Sequence, residues 1–248
     1  MKTTMVSRCF IIGAGEFDGF ADTAVQVRNS SNKQFLLQSG TAGTGSAVPQ
    51  PEDLVIAADG GYTYLKKFGM EPDVLLGDFD SLAVVPEHRH LIRHSPIKDD
   101  TDMALAVAYA EEQGCTTFFL YGGLGKRLDH TLANLQLLTG MARKGLEAYL
   151  IGQGNIMTAI VGETLTFSDD ATGMVSVFCM GECAEGVSES GLKYTLDNAA
   201  LTCDRALGVS NEFIGRESCI GVKSGTLLIM WDTVNGLPKR RKNPDTGM

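Results

Sequence analysis

The sequence predicts an α/β domain with a mostly parallel sheet over residues 1–152, then a smaller all-β domain over 153–237. Two observations carry this. Up to about residue 152, short apolar runs alternate with amphipathic stretches of helical period, the pattern of a parallel sheet covered by helices. Beyond it the helical period disappears. Short runs rich in Thr, Val, Ile and Phe then recur between Gly, Asp and Asn.

Cys9-Phe10-Ile11-Ile12 reads as the first strand and ends at Gly13-Ala14-Gly15. Residues 22–52 are small, polar and glycine-rich, and read as a long surface insertion with a short strand at Phe35-Leu36-Leu37. Leu54–Ala58 is the second strand, stopped by Asp59-Gly60-Gly61, and a helix follows at about 61–68. Val74-Leu75-Leu76 is the third, running into Gly77-Asp78-Phe79-Asp80. A helix is expected over about 101–113, where Met103, Ala106, Val107 and Ala110 share one face. Thr117–Tyr121 is a strand ending at Gly122-Gly123, and 129–143 is helical. In the second half, Ile156–Val161, Met174–Cys179, Phe213-Ile214 and Thr226–Trp231 read as strands. The basic tail, 238–248, is expected to fray.

The composition bounds the function. The chain has 248 residues, 44% hydrophobic and 21% charged, as in an ordinary folded domain. Its net charge of −9 does not suit nucleic acid, whose binding depends on neutralising phosphates. No apolar run approaches a membrane span, and the short apolar stretch after MKTTMVSR does not read as a signal peptide, so the expected location is the cytoplasm. Six scattered cysteines read as buried reduced thiols. Cys179 and Cys183 lack a second pair with zinc spacing. His88, His90 and His94 lie in a polar stretch and read as a solvated loop.

Carboxylates gather where predicted strands end: Asp59, then Asp78 and Asp80, then Asp99, Asp100 and Asp102, then Asp129. Ligands of open α/β sheets bind outside the carboxyl ends of the strands. Taken singly, Asp-Gly-Gly is also a good turn, and acids at 99–102 also suit a helix start. Taken together, they point to one crevice, where crowded carboxylates need a cation. Oxygen donors without His or Cys suit Mg²⁺, and Mg²⁺ suits a polyphosphate. Gly13-Ala14-Gly15 lacks the third glycine of a dinucleotide fingerprint. Gly122 through Arg127 lacks the spacing of a phosphate-binding P-loop.

Four motifs in this order resemble the bacterial type of thiamine pyrophosphokinase. They are Ala58-Asp59-Gly60-Gly61, Pro72 through Ser81, Lys98-Asp99-Asp100-Thr101-Asp102, and Gly122-Gly123 followed by Arg127-Leu128-Asp129-His130, with Asn134 on the same helix. Gly191–Leu196 and Gly208–Glu212 resemble that family's thiamine-binding domain. The match runs from 54 to 231. Thr195 stands where the family often has proline, and the 22–52 insertion is unusually long.

The resemblance implies pyrophosphoryl transfer from ATP to thiamine, giving AMP and thiamine diphosphate. It implies a C-terminal β-sandwich and a homodimer with thiamine in a cleft between subunits. It also implies Asp78, Asp80 and Asp102 as Mg²⁺ ligands, Arg127 and Lys98 toward phosphate, and Asp129 near the thiamine hydroxyl, either orienting it or taking its proton. Asp59, Gly60, Gly61, Asp99, Thr101, His130 and Asn134 join the substrate-binding set, with Ser210 and Asn211 holding the pyrimidine. Two rivals remain at this stage. Asp78-Phe79-Asp80 after a strand also fits a Mg²⁺-dependent phosphatase of the haloacid dehalogenase type, and the chain could instead be a non-catalytic thiamine- or nucleotide-binding module.

Overall fold

The computed structural model describes residues 7–17, 19–20, 47–79, 85–95 and 99–244. The expected strand at 35–37, Asp80 and Lys98 lie outside them. The chain divides into two compact units. Ala47–Leu137 and Leu150–Gln153 join the N-terminal strand in the first; Leu138–Tyr149 and everything from Gly154 onward form the second.

In the first unit the strands are β1 (Arg8–Ile12), β2 (Leu54–Ala58), β3 (Val74–Gly77), β4 (Leu91–Arg93) and β5 (Thr117–Tyr121). All the pairs are parallel, in the order β5-β1-β2-β3-β4. Their side chains are buried almost without alternation, as expected of strands covered on both faces. Helix α1 (Gly61–Lys67) follows β2, and α2 (Asp102–Glu112) packs on β1, β2 and β3. The four inward residues foreseen for α2 are its buried ones. Helix α3 (Leu128–Arg143) and strand β6 (Glu147–Gly152) run across the border between the units. The edge strand β4 was not foreseen, because it is only three residues long and none is fully buried. Its neighbour His88 is not solvated: the ring is buried, Nε2 donates to the Pro72 carbonyl (3.0 Å) and Nδ1 accepts from the His90 amide (3.2 Å).

The second unit is built from antiparallel ladders. One contains β7 (Asn155–Ile160), β9 (Met174–Cys179), β12 (Gly208–Glu212) and β14 (Leu227–Asp232), in the order β12-β9-β14-β7. The other contains β8 (Glu163–Phe167), β10 (Cys183–Ser190), β11 (Leu196–Thr202), β13 (Ser218–Gly221) and β15 (Lys239–Lys242), in the order β11-β10-β13-β8-β15. Phe167 of β8 lies edge-on to Trp231 of β14 at 5.3 Å, so the two ladders meet through an aromatic core. The secondary structure is thus a mixed sheet with helices and a separate all-antiparallel sheet.

Three expectations are corrected. The strand expected at Phe213-Ile214 is β12, a few residues earlier, and Phe213 makes only an isolated bridge to Leu192. The tail does not fray at 239–242, because β15 pairs with β8 from Lys239↔Thr166 to Lys242↔Glu163. Arg240 anchors it: its guanidinium meets Glu163 Oε2 at 2.6 Å and Thr158 Oγ1 at 3.0 Å. Of the cysteines, Cys9, Cys115 and Cys179 are buried, whereas Cys183 and Cys203 are exposed. Among the described residues no helix is long and apolar enough to cross a membrane.

Candidate active site

Parallel pairing makes the carboxyl ends of the strands level. Ile12 of β1 stands beside Ala57 of β2 and Tyr121 of β5, and Ala58 stands beside Leu76 of β3. The residues that follow these ends therefore emerge at one edge of the sheet. Main-chain contacts join them there: Gly13 N–H donates to Tyr121 O (2.8 Å), Gly15 N–H to Gly122 O (2.7 Å) and Asp59 N–H to Leu76 O (2.7 Å). Approach this close requires glycine. A Cβ on Gly61 would lie 1.8 Å from Ile12 O. One on Gly122, whose φ is +62°, would lie 2.4 Å from Gly13 O.

Three residues here hold unusual backbone conformations without being glycine. Asp59 has φ +48°, Phe79, buried, has φ +61°, and Lys126 has φ +51°. Such conformations cost about 1–3 kcal/mol each and persist where the surroundings enforce them, often at functional sites. Gly77 and Phe79, both with positive φ, flank Asp78, which is half-buried. Asp102 opens α2, and Met103 beside it reaches toward Gly13, so the helix start lies at the same edge. Thr101 is the helix cap, its hydroxyl accepting from Ala104 N–H at 3.2 Å, while Asp99 and Asp100 are exposed. Among the described residues no three carboxylate, His or Cys side chains are gathered closely enough to hold a metal.

The segment after β5 supplies the charged rim. Arg127 and Asp129, both exposed, form a two-pronged pair, with Nη2–Oδ2 at 2.6 Å and Nε–Oδ1 at 3.2 Å. The guanidinium holds the Asp129 carboxyl below its ordinary range, and the carboxylate raises Arg127 in return. His130 is exposed, its amide donating to Asp129 Oδ1. Asn134 is buried and donates to Gly123 O at 2.7 Å, so it fixes the Gly122-Gly123 turn. Lys126 was not foreseen. Its ammonium bonds Ala14 O (3.0 Å) and Tyr64 Oη (2.8 Å), and Tyr64 in turn donates to Gly15 O. The signal was the Gly-Lys-Arg run, in which only the arginine carried a family match.

In the second unit, Ser210 is exposed with φ +61°, and its amide donates to Ser176 Oγ. Asn211 corrects an expectation. Its Oδ1 accepts from Tyr194 N–H and Glu212 N–H, and its Nδ2 donates to Glu189 Oε2 and Tyr194 O. These four bonds exhaust the amide, so Asn211 positions its neighbours and has no capacity left to hold a pyrimidine.

The family model for the thiamin pyrophosphokinase catalytic domain matches residues 47–150, and that for the thiamin pyrophosphokinase vitamin B1 binding domain matches 164–227. A thiamine pyrophosphokinase of Bacillus subtilis is 30% identical over 188 residues, covering 73% of this chain and 87% of the relative. The chain belongs to the thiamine pyrophosphokinase family. A Caenorhabditis elegans member, thiamin pyrophosphokinase 1, is 27% identical over 187 residues, covering 70% of this chain and 76% of its own. A crystal structure of thiamine pyrophosphokinase from Bacillus subtilis superposes with a TM-score of 0.73 at 23% identity, covering 91% of this chain and 99% of that one, which supports the fold. Membership of this family favours neither the phosphatase nor the bare binding module.

Proposed function

We propose that this chain transfers a pyrophosphoryl group from ATP to the hydroxyl of thiamine, giving thiamine diphosphate and AMP. The observation that carries the reading is the convergence of Asp59, Asp78 and the α2 start at Asp102 on one edge of a parallel sheet, inside the segment that matches the family's catalytic domain. The donor set is carboxylate oxygen, which fits Mg²⁺. Asp78 and Asp102 would hold the ion together with Asp80. Bound there, Mg²⁺ would neutralise charge on the polyphosphate.

The chain's own groups have separable tasks. The thiamine hydroxyl attacks the β-phosphorus and AMP leaves, so the protein must align two reactants and offset negative charge. Arg127 offers a planar fork that matches phosphate oxygens; engaging ATP means exchanging Asp129 for phosphate. Asp129, held ionised by Arg127, is a weak base, which favours orienting the hydroxyl over removing its proton. Lys98 adds a point charge. Asp59-Gly60-Gly61 and Gly122-Gly123 shape the floor, with Asn134 behind it. The second unit is read as a β-sandwich that receives thiamine near Ser210. The reading includes a cytoplasmic homodimer with the cleft shared between copies; the exposed Leu128 and Leu132 of α3 suit a covered face.

The deciding experiment incubates the full chain with thiamine, ATP and Mg²⁺ and identifies the products. AMP with thiamine diphosphate supports the reading. ADP with thiamine monophosphate, or phosphate released from simple esters without ATP, overturns it.

A further inference from the structure

Lys126 holds a backbone conformation that its neighbours leave to glycine. Gly122 and Gly125 meet φ values of +62° and +76° without a side chain, whereas Lys126 lies at φ +51° with one. Arg127 N–H donates to Gly125 O at 2.6 Å, closing a three-residue turn with Lys126 at its centre. Turns of this kind with a positive central φ are rare and strained. Glycine would make the turn without strain, so the lysine side chain has to offset what its backbone costs.

That side chain crosses to the loop after β1. Its ammonium donates to Ala14 O (3.0 Å) and to Tyr64 Oη (2.8 Å), and Tyr64 Oη donates to Gly15 O (2.6 Å). The ammonium also lies over the Tyr64 ring, 5.3 Å from its centre, and that ring packs edge-on against buried Phe17. Nearer β5 the same two loops are joined main chain to main chain, by Gly15 N–H to Gly122 O and Glu16 N–H to Leu124 O. Past Leu124 the tie passes to the Lys126 side chain. Arg127 comes next, and its carbonyl accepts from Thr131 N–H at 3.1 Å, at the start of α3. Arg127 therefore stands between a latch on one side and a helix on the other.

We propose that Lys126 is a positioning residue for pyrophosphoryl transfer: by latching the turn at Gly125-Lys126-Arg127 to Ala14 and Tyr64, it fixes where the Arg127 guanidinium stands. The proposal rests on the reading of Arg127 as a phosphate-binding group. The hydrogen bonds of Lys126 go to the protein, so it acts through Arg127.

The test separates positioning from support of the fold. Lys126→Met removes the ammonium, and Lys126→Gly removes the strain as well. Both full-length variants should melt within about 2 °C of the wild type, as expected at an exposed position. Their kcat/KM for ATP in thiamine diphosphate formation should fall about 10-fold, because small displacements of a positioned group cost turnover. In an Arg127→Met background, Lys126→Met should cost less than about 2-fold, since the group it positions is gone. The Asp129 carboxyl, titrated by NMR without substrate, gives a second reading. Its hydrogen bond to Arg127 holds it low, with the charges of Arg127 and His130 adding to the effect. Lys126→Met should therefore move its titration up by displacing Arg127, and a merely structural residue would leave it unmoved. An unchanged kcat/KM, equal losses with and without Arg127, or an unmoved titration would each overturn the assignment. Should Lys126→Met not fold, Tyr64→Phe keeps the ring on Phe17, removes the hydroxyl that links Lys126 to Gly15, and is judged by the same two measurements. Failure of the wild type to make thiamine diphosphate overturns the pyrophosphokinase reading, and the Asp129 titration still judges Lys126.

Discussion

Replacing Arg240 by alanine should destabilise the second unit by about 3 kcal/mol, the low end of what is lost when one partner of a buried ion pair is removed. The guanidinium and the Glu163 carboxylate are 11% and 14% exposed. Arg240 also bonds Thr158 Oγ1 (3.0 Å) and Ala159 O (3.3 Å), and lies over the Tyr149 ring at 5.7 Å. Truncation leaves Glu163 without its cation and those acceptors without their donor. The low end is chosen because β15 lies at the edge of its ladder and can undock locally, which caps the loss at the cost of that local opening. At roughly 2–4 °C per kcal/mol for a protein of this size, the melting temperature should fall by about 6–12 °C. Trp231 is the sole tryptophan and is buried in this unit, so its fluorescence reports the transition directly. The exposed neighbour Arg241 is the control, and Arg241→Ala should change stability by less than about 0.5 kcal/mol. Exchanging both Arg240 and Glu163 for Met should recover most of the loss. A shift below about 2 °C for Arg240→Ala, or one no larger than the control's, would refute the docked tail and restore a frayed one.

Asp78→Asn should leave the melting transition intact and lower thiamine diphosphate formation by at least about 100-fold, read by chromatography of the products. Gly122→Ala should cost about 2–4 kcal/mol in urea unfolding, because it combines a left-handed backbone with a Cβ against the Gly13 carbonyl. Asn134→Leu should lose about 1–3 kcal/mol by stranding the buried Gly123 carbonyl, and turnover should fall in protein that is still folded. For Asp129, carboxyl titration followed by NMR should begin below the ordinary carboxylate range as pH rises, and Arg127→Met should return it upward; an unmoved titration would show that the pair does not form in solution.

What the sequence disclosed depended on whether a local pattern and the tertiary outcome agreed. Leu54–Ala58 is a continuous apolar run between Asp53 and Asp59, and Thr117–Tyr121 stops at Gly122, so their ends were readable to a residue. The helical spacing of Met103, Ala106, Val107 and Ala110 gave α2 its buried face. β15 was hidden because Lys239–Lys242 is wholly basic. Its stability comes from one buried acid 77 positions away, and no local pattern carries that. The role of Asn211 was hidden for a related reason: the string Val-Ser-Asn-Glu matches a family motif but does not reveal that Tyr194 and Glu189 fill the amide's bonding capacity. Glu189 itself did leave a trace, as an acid on the inward beat of Val187-Ser188-Glu189.

The glycine contacts at Gly61 and Gly122 divide the sites of variation in this protein into two kinds. Where main chain touches main chain, no side chain of any chemistry can be accommodated, so those positions resist change whatever substrate the crevice receives. Arg127, Asp129 and His130 stand out in solvent on the neighbouring helix start, where the fold asks almost nothing of them. Randomising both sets and sorting first for folded protein, then for turnover, should therefore discard different positions at each step. The first sort removes substitutions on the floor, and the second removes those on the rim. Chemistry on this scaffold can be retuned through the rim while the floor stays as it is.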